Sequence, residues 1–230
     1  GRFSSVQSTS PFEDAAGFQN DDRHLRAEAE RVLAERSALG LDGLVGDLRA
    51  IIVRVEPDHL RAAAEEFLRY TSYALADAFE DADTATCVLS RPGSADIVLR
   101  ARKRGANPFA EINRAPKTTH LPNTRLETFV FETPDLEAYV AIQRERGVRF
   151  ATREIRRFEH CAYIRTEPSR FTGNATGVLQ WTGSRRSYRS ASATDLDWPL
   201  HQPSSAYLAN IGPLDHAATR VLAEHRDPAI

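Results

Sequence analysis

The sequence is short of most features that would mark a special environment. Only two cysteines occur among 230 residues, Cys87 and Cys161. That is too few for a disulfide framework, and a cytoplasmic home is expected. The net charge is -2, with 30 Lys and Arg against 32 Asp and Glu, so no positive excess advertises nucleic acid. No apolar run approaches the roughly 18–20 residues that span a bilayer, and no signal-peptide pattern opens the chain, so no membrane partner is expected. Methionine is absent and the first residue is Gly1. Either the start has been trimmed and the chain avoids methionine, or methionines are missing and some spacings run a residue short. What is present, 41% hydrophobic and 27% charged residues, is the composition of a globular protein with a sizeable core.

The first twenty residues, rich in Ser, Gly, Asp and Asn, read as a mobile arm. From Asp22, Leu25, Ala29, Val32, Leu33 and Leu39 fall on one helical stripe that should pack on something, with Gly40 as the stop. A strand follows over Leu48–Val55, then a helix with Pro57 in its first turn and Leu60, Ala64, Phe67 and Leu68 as its buried face. Thr84–Ser90 and Ala95–Ala101 read as strands about an Arg91-Pro92-Gly93-Ser94 turn, with a weaker strand near Phe79. After a polar stretch containing Pro108, Pro116 and Pro122 the order recurs. Glu127–Glu132 is a strand. Thr133-Pro134-Asp135 predicts a helix start with a hydroxyl cap, and Gly147 a helix end. Strands are expected near Val148–Ile155, Cys161–Thr166 and Thr176–Thr182. First strands lie about 77 positions apart and last strands about 81, an internal repeat. Beyond a Ser-, Arg- and Pro-rich connection, Leu214–Val221 matches the frame of Leu48–Val55, as if a third copy were beginning. A lone strand cannot bury its apolar side, so either the chain is the front of something longer or another subunit completes the sheet.

Tandem strand–helix–three-strand modules of this kind resemble the vicinal oxygen chelate superfamily. Within it, the order most resembles the 4-hydroxyphenylpyruvate dioxygenase family, over roughly residues 45 to 230. In that family a two-module half without metal precedes a linker. A catalytic half then opens on a Leu-Asp-His strand, as Leu214-Asp215-His216 does here. The fold implied is α+β, tandem βαβββ modules forming a cupped mixed sheet of the glyoxalase and dioxygenase kind, preceded by an N-terminal helix. The implied divisions are 1–45 (arm and amphipathic helix), 46–120 (first module), 121–183 (second module), 184–210 (linker) and 211–230 (start of a third module).

The resemblance implies Fe(II) or another divalent metal, a small-molecule substrate such as a 2-oxo acid or aromatic, and oxidation by O2. Family metal sites draw a ligand from the middle of a module's first strand and a carboxylate from its last. Those places hold Ala50 and Arg100 in module one, and Thr128 and Gln180 in module two. No metal is therefore expected within residues 1–185, since iron wants imidazole and carboxylate. His216 takes the first ligand place by resemblance, beside the bland reading of a hydrogen-bonded strand histidine. Two rival functions stay open: a metal-free module binding a small molecule in its cup, and a structural half that forms a homo-oligomer.

Other candidates have plain structural readings. His160 and Cys161 adjoin, but strand neighbours point to opposite faces. Cys87 and Cys161 read as small core residues. Arg153, Arg156, Arg157, Arg185, Arg186 and Arg189 could recognise a carboxylate or phosphate, although interspersed acids such as Glu154 and Glu159 favour a solvated surface. Asn174-Ala175-Thr176 is a formal glycosylation acceptor, without meaning in a cytoplasmic protein. Trp181 and Trp198 suit anchors for the linker.

Overall fold

A computed structural model of the chain describes residues 22–105, 124–200, 206–219 and 221–229. The expected arm before residue 22 and the polar stretch with Pro108, Pro116 and Pro122 lie outside them. Helix α1 covers Asp22–Ala38. The first half of the sheet follows: β1 (Leu48–Val55), a short 3-10 turn, α2 (Leu60–Tyr70), β2 (Ala74–Glu80), β3 (Thr84–Ser90) and β4 (Asp96–Arg102). The second half is β5 (Arg125–Glu132), α3 (Leu136–Glu145), β6 (Arg156–Arg157), β7 (Cys161–Arg165) and β8 (Ala175–Trp181). A two-residue strand, β9 (Thr194–Asp195), and the short helix α4 (Arg226–Ala229) come last.

All strands join one mixed nine-stranded sheet in the order β6-β7-β8-β5-β1-β4-β3-β2-β9. Each half has the same pairing. Its first strand lies parallel to its last, β1 with β4 and β5 with β8, and the remaining strands add antiparallel. The halves meet where β1 and β5 pair antiparallel. This is the α+β sheet of repeated strand–helix–three-strand units expected from the sequence.

Alternation along the strands divides the apolar residues between two faces. On the outer face, α2 lays Leu60, Ala64 and Leu68 against Ile51, Val55, Cys87, Leu89, Ile97 and Leu99. In the other half, α3 packs Leu136, Tyr139 and Val140 against Ala162, Ile164 and Val178. The inner face carries a third cluster, Ala50, Ile52, Val98, Val130, Cys161 and Leu179. Among the described residues no helix packs on it, and it becomes the floor of the cup.

Three sequence expectations need correction. The stripe on α1 is not buried: the helix has no buried residue, and Val32 and Leu33 stay 39% and 55% exposed. Its ties to the body are polar, such as Arg146 to Glu35 (3.1 Å) and Arg226 to Asp22 (2.7 Å). The expected strand Val148–Ile155 does not form. Only Phe150 bridges to Thr166, and the chain bends away where the Thr152 hydroxyl donates to the Glu154 carbonyl (2.9 Å). The cap of α3 is Asp135 rather than Thr133: Asp135 Oδ1 accepts from the Ala138 N–H (3.0 Å), while Thr133 Oγ1 accepts from the Asp135 N–H. Asp135→Ala should therefore cost about 1 kcal/mol in urea unfolding, and Thr133→Val clearly less. Equal costs would return the cap to Thr133.

Candidate functional site

The inner face closes into a cavity of about 70 Å³ lined by side chains from both ends of the strand order, Phe79 on β2 and Arg156 on β6. Those strands stand seven steps apart in the sheet, roughly 34 Å if it were flat at about 4.8 Å per step. A shared small cavity therefore requires the sheet to roll into a cup. Ile52, Val98, Val130 and Leu179 supply apolar walls. The mouth is narrowed by the segment after β8, where Tyr188 and Ser190 reach the cavity. Tyr188 packs against Trp181, with ring centroids 5.5 Å apart. Its hydroxyl donates to Asp96 Oδ2 (2.6 Å), and Arg189 pairs with Asp195 (2.6 Å) and with Asp77.

Two β-bulges bring charge onto this face. Between Leu48 and Ala50 the β1–β5 register skips Arg49, and between Thr128 and Leu126 it skips Glu127. Each extra residue is turned out of the regular alternation. Arg49 reaches Asp96 (3.1 Å), and Glu127 accepts from Arg54 Nε at 2.5 Å. Arg54 and Glu127 are 6% and 5% exposed, a buried pair. Burial alone would raise the Glu127 pKa, but the Arg54 hydrogen bond and charge, with Arg165 and Arg100, outweigh it and hold the carboxyl below its ordinary value.

The donor side is under-used. Arg54 Nη1, Arg100 Nε, Thr128 Oγ1 and the Tyr163 hydroxyl are sealed from solvent without a hydrogen-bond partner. Arg54 and Arg100 are register partners on β1 and β4, and like charges placed directly opposite repel. Burial, then the Arg54 charge, pull the Arg100 pKa below its usual value. Tyr163 lies across Gly177, where an added Cβ would come within 2.8 Å of its ring and hydroxyl. Burial pushes the Tyr163 pKa up to about 12 against the opposing charge of Arg100, so its hydroxyl remains a donor. Cys161 in the cup wall is pushed up to about 11 by burial, which makes it a poor nucleophile.

A metal ion does not fit this cup. Ala50, Thr128 and Arg100 occupy inward places without offering imidazole or carboxylate, and the Glu127 carboxylate is engaged by Arg54. Gln180, weighed from the sequence as a weak ligand, faces the other way. Its Oε1 accepts from the Leu136 N–H and its Nε2 donates to the Pro134 carbonyl. Among the described residues no group of three or more His, Cys, Asp or Glu is placed to hold a metal.

His216 lies outside the cup. Leu214–Thr219 runs without regular secondary structure, the Leu214 N–H donates to Ser94 Oγ (2.9 Å), and the His216 side chain is 80% exposed. Its Nδ1 stands 2.7 Å from Asp215 Oδ2. Among the arginines singled out earlier, Arg156 stacks on Phe158 at the cup, Arg186 pairs with Glu132 and Arg157 with Glu137. Both cysteines are buried and free. Sequence reasoning missed Arg54, Glu127 and Tyr163, and read Arg100 only as a disqualification for metal. A signal for Glu127 was present: the apolar period stretches from two to three between Leu126 and Phe129.

No family model matches the chain, and no curated protein matches it by sequence. Solved structures do. A variant of Streptomyces coelicolor methylmalonyl-CoA epimerase, in complex with 2-nitronate-propionyl-CoA, aligns with a TM-score of 0.50 and 15% identity over 60% of this chain and 99% of that one. The Mycobacterium tuberculosis methylmalonyl-CoA epimerase aligns at 0.49 and 20% identity, over 60% of this chain and 89% of that one. A variant of Streptomyces coelicolor 4-hydroxymandelate synthase aligns at 0.48 and 16% identity, over 60% of this chain and 49% of that one. At these identities the likeness speaks of the fold alone: over 60% of its length this chain shares the fold of the epimerase that it matches at 0.50. Among the described residues no helix is long and apolar enough to cross a membrane.

Proposed function

We propose that the two-module sheet is a small-molecule receptor whose cup works without a metal. The observation that carries the reading is the cavity in which the apolar side chains Ile52, Val98, Val130 and Leu179 stand with the polar residues Arg100 and Tyr163. An apolar pocket with a few convergent polar groups is the usual form of a ligand site. Methyl NMR tests it. A mixture of two- to four-carbon organic acids, amides and alcohols should shift Ile52, Val98, Val130 and Leu179, with EDTA making no difference. Added Mn(II) should leave these methyls sharp. Selective broadening of the four by Mn(II), or shifts that vanish with EDTA, would overturn the reading.

A second reading concerns the protein to which these modules contribute: an Fe(II)-dependent dioxygenase acting on a 2-oxo acid or aromatic, with His216 as one metal ligand. It is supported by the Leu214-Asp215-His216 run and by the Asp215 carboxylate beside His216 Nδ1. A ligating histidine is commonly oriented by such an acceptor on its other ring nitrogen. The reading requires a further histidine and a carboxylate from outside the described residues. Iron would supply the oxidation chemistry there, and His216 would hold and orient it. Iron content and turnover of the full-length protein should fall together in the His216→Ala variant. Equal iron and equal turnover in the two proteins would remove His216 from the site.

A further inference from the structure

The charges inside the cup do not balance. Arg54 and Arg100 face each other across β1 and β4, and Arg156 and Arg165 act on the same groups. Two carboxylates answer them. Glu127 is held by Arg54, and Asp81 by the Asp83 and Thr84 backbone N–H groups and the Thr84 hydroxyl. Arg100 is left beside a like charge, with its Nε shut away from water and bonded to nothing. A guanidinium stays charged under such conditions, and Glu127 and Asp81 act on Arg100 through charge alone, with no hydrogen bond to it among the described residues.

Deepening the receptor reading, on which this rests, we propose that the cup binds a small organic carboxylate. Its oxygens accept from the Arg100 guanidinium while its short body lies against Ile52, Val98, Val130 and Leu179. The ligand gives Arg100 the hydrogen-bonded counter-ion that Glu127 and Asp81, engaged by other donors, do not. The cavity, about 70 Å³, holds roughly five to seven atoms at the ~10–15 Å³ each water-sized group needs. A body of a few carbons fills it. Phosphate would fit by size, but it would set polar oxygens against the apolar side chains of Ile52, Val98, Val130 and Leu179. Gly177 belongs to the same design: a side chain there would displace the Tyr163 ring.

Calorimetry and methyl NMR at constant ionic strength should use acetate, propionate, butyrate, propionamide and inorganic phosphate as probes. Propionate is expected to shift the four cup methyls and bind at least about tenfold more tightly than propionamide, the difference made by one charge-assisted contact. Phosphate should leave the cup unchanged. Arg100→Met should abolish the preference for propionate and raise the ligand-free melting temperature, because a buried repulsion is removed. Should Arg100→Met fail to fold, Arg100→Gln keeps a polar head and removes only the charge. It should weaken propionate more than propionamide. Equal binding of propionate and propionamide at the cup, or equal binding of phosphate, overturns the carboxylate while the receptor reading stands. No cup shift with any probe removes both.

Discussion

Replacing Glu127 by glutamine should destabilise the protein by about 3–5 kcal/mol at neutral pH, the range for breaking a buried ion pair from one side. The replacement keeps the shape and removes the charge, leaving Arg54, 6% exposed, without its counter-ion next to Arg100. The double variant Arg54→Met, Glu127→Leu should recover most or all of the loss, since two apolar groups of similar size avoid the desolvation of both charges. The pH dependence has a definite sign. The Glu127 pKa is lower in the folded protein than its ordinary value. Its contribution is therefore complete above the unfolded value of about 4.3 and fades as pH falls below it towards the folded pKa. Urea unfolding should show a wide gap between wild type and Glu127→Gln at pH 7 and a narrower one at pH 3.5. A gap below about 1 kcal/mol at pH 7, the level of a surface pair, would mean that the bulge does not bury the charge.

The same bulge explains what the sequence revealed of the fold and what it concealed. β1 and β3 were legible to the residue, because Leu48–Val55 and Thr84–Ser90 are apolar, β-branched runs bounded by turn residues. The repeat was legible because each half must bury one helix on one sheet face. The two charged positions that shape the cup lie where the alternation slips: Leu48 to Ile51 and Leu126 to Phe129 are three apart while all four pack on the α2 side. Such a slip reads as noise until pairing shows which residue is extra. Arg100 was legible as an inward residue, but its meaning depended on Arg54 standing opposite, a contact 46 positions away that no local pattern carries. The stripe on α1 was read correctly as apolar and wrongly as buried, since periodicity describes a face and not what covers it.

Asp96→Ala should cost about 2–4 kcal/mol and loosen the mouth of the cup. Asp96 sits at the start of β4, 7% exposed, and accepts from Ser90 Oγ (2.8 Å), Arg49 Nη2 (3.1 Å) and the Tyr188 hydroxyl (2.6 Å). Alanine leaves all three donors without this acceptor. The Arg49 side chain is 30% exposed, so water meets part of its need, which places the cost below that of a fully buried pair. The structural consequence is local. The segment after β8 is held over the cup by the Tyr188–Asp96 bond at one end and by Arg189, Asp195 and the β9–β2 pairing at the other. Tyr188→Phe removes the first tie alone and should cost about 1 kcal/mol. Amide hydrogen exchange should quicken at residues 187–190 in both variants, and at β4 and the neighbouring end of β1 only in Asp96→Ala. Exchange unchanged at 187–190 in both would show that the segment is held by Arg189 and β9 alone. Asp96 would then be a clamp between β1 and β4 with no part in closing the cup.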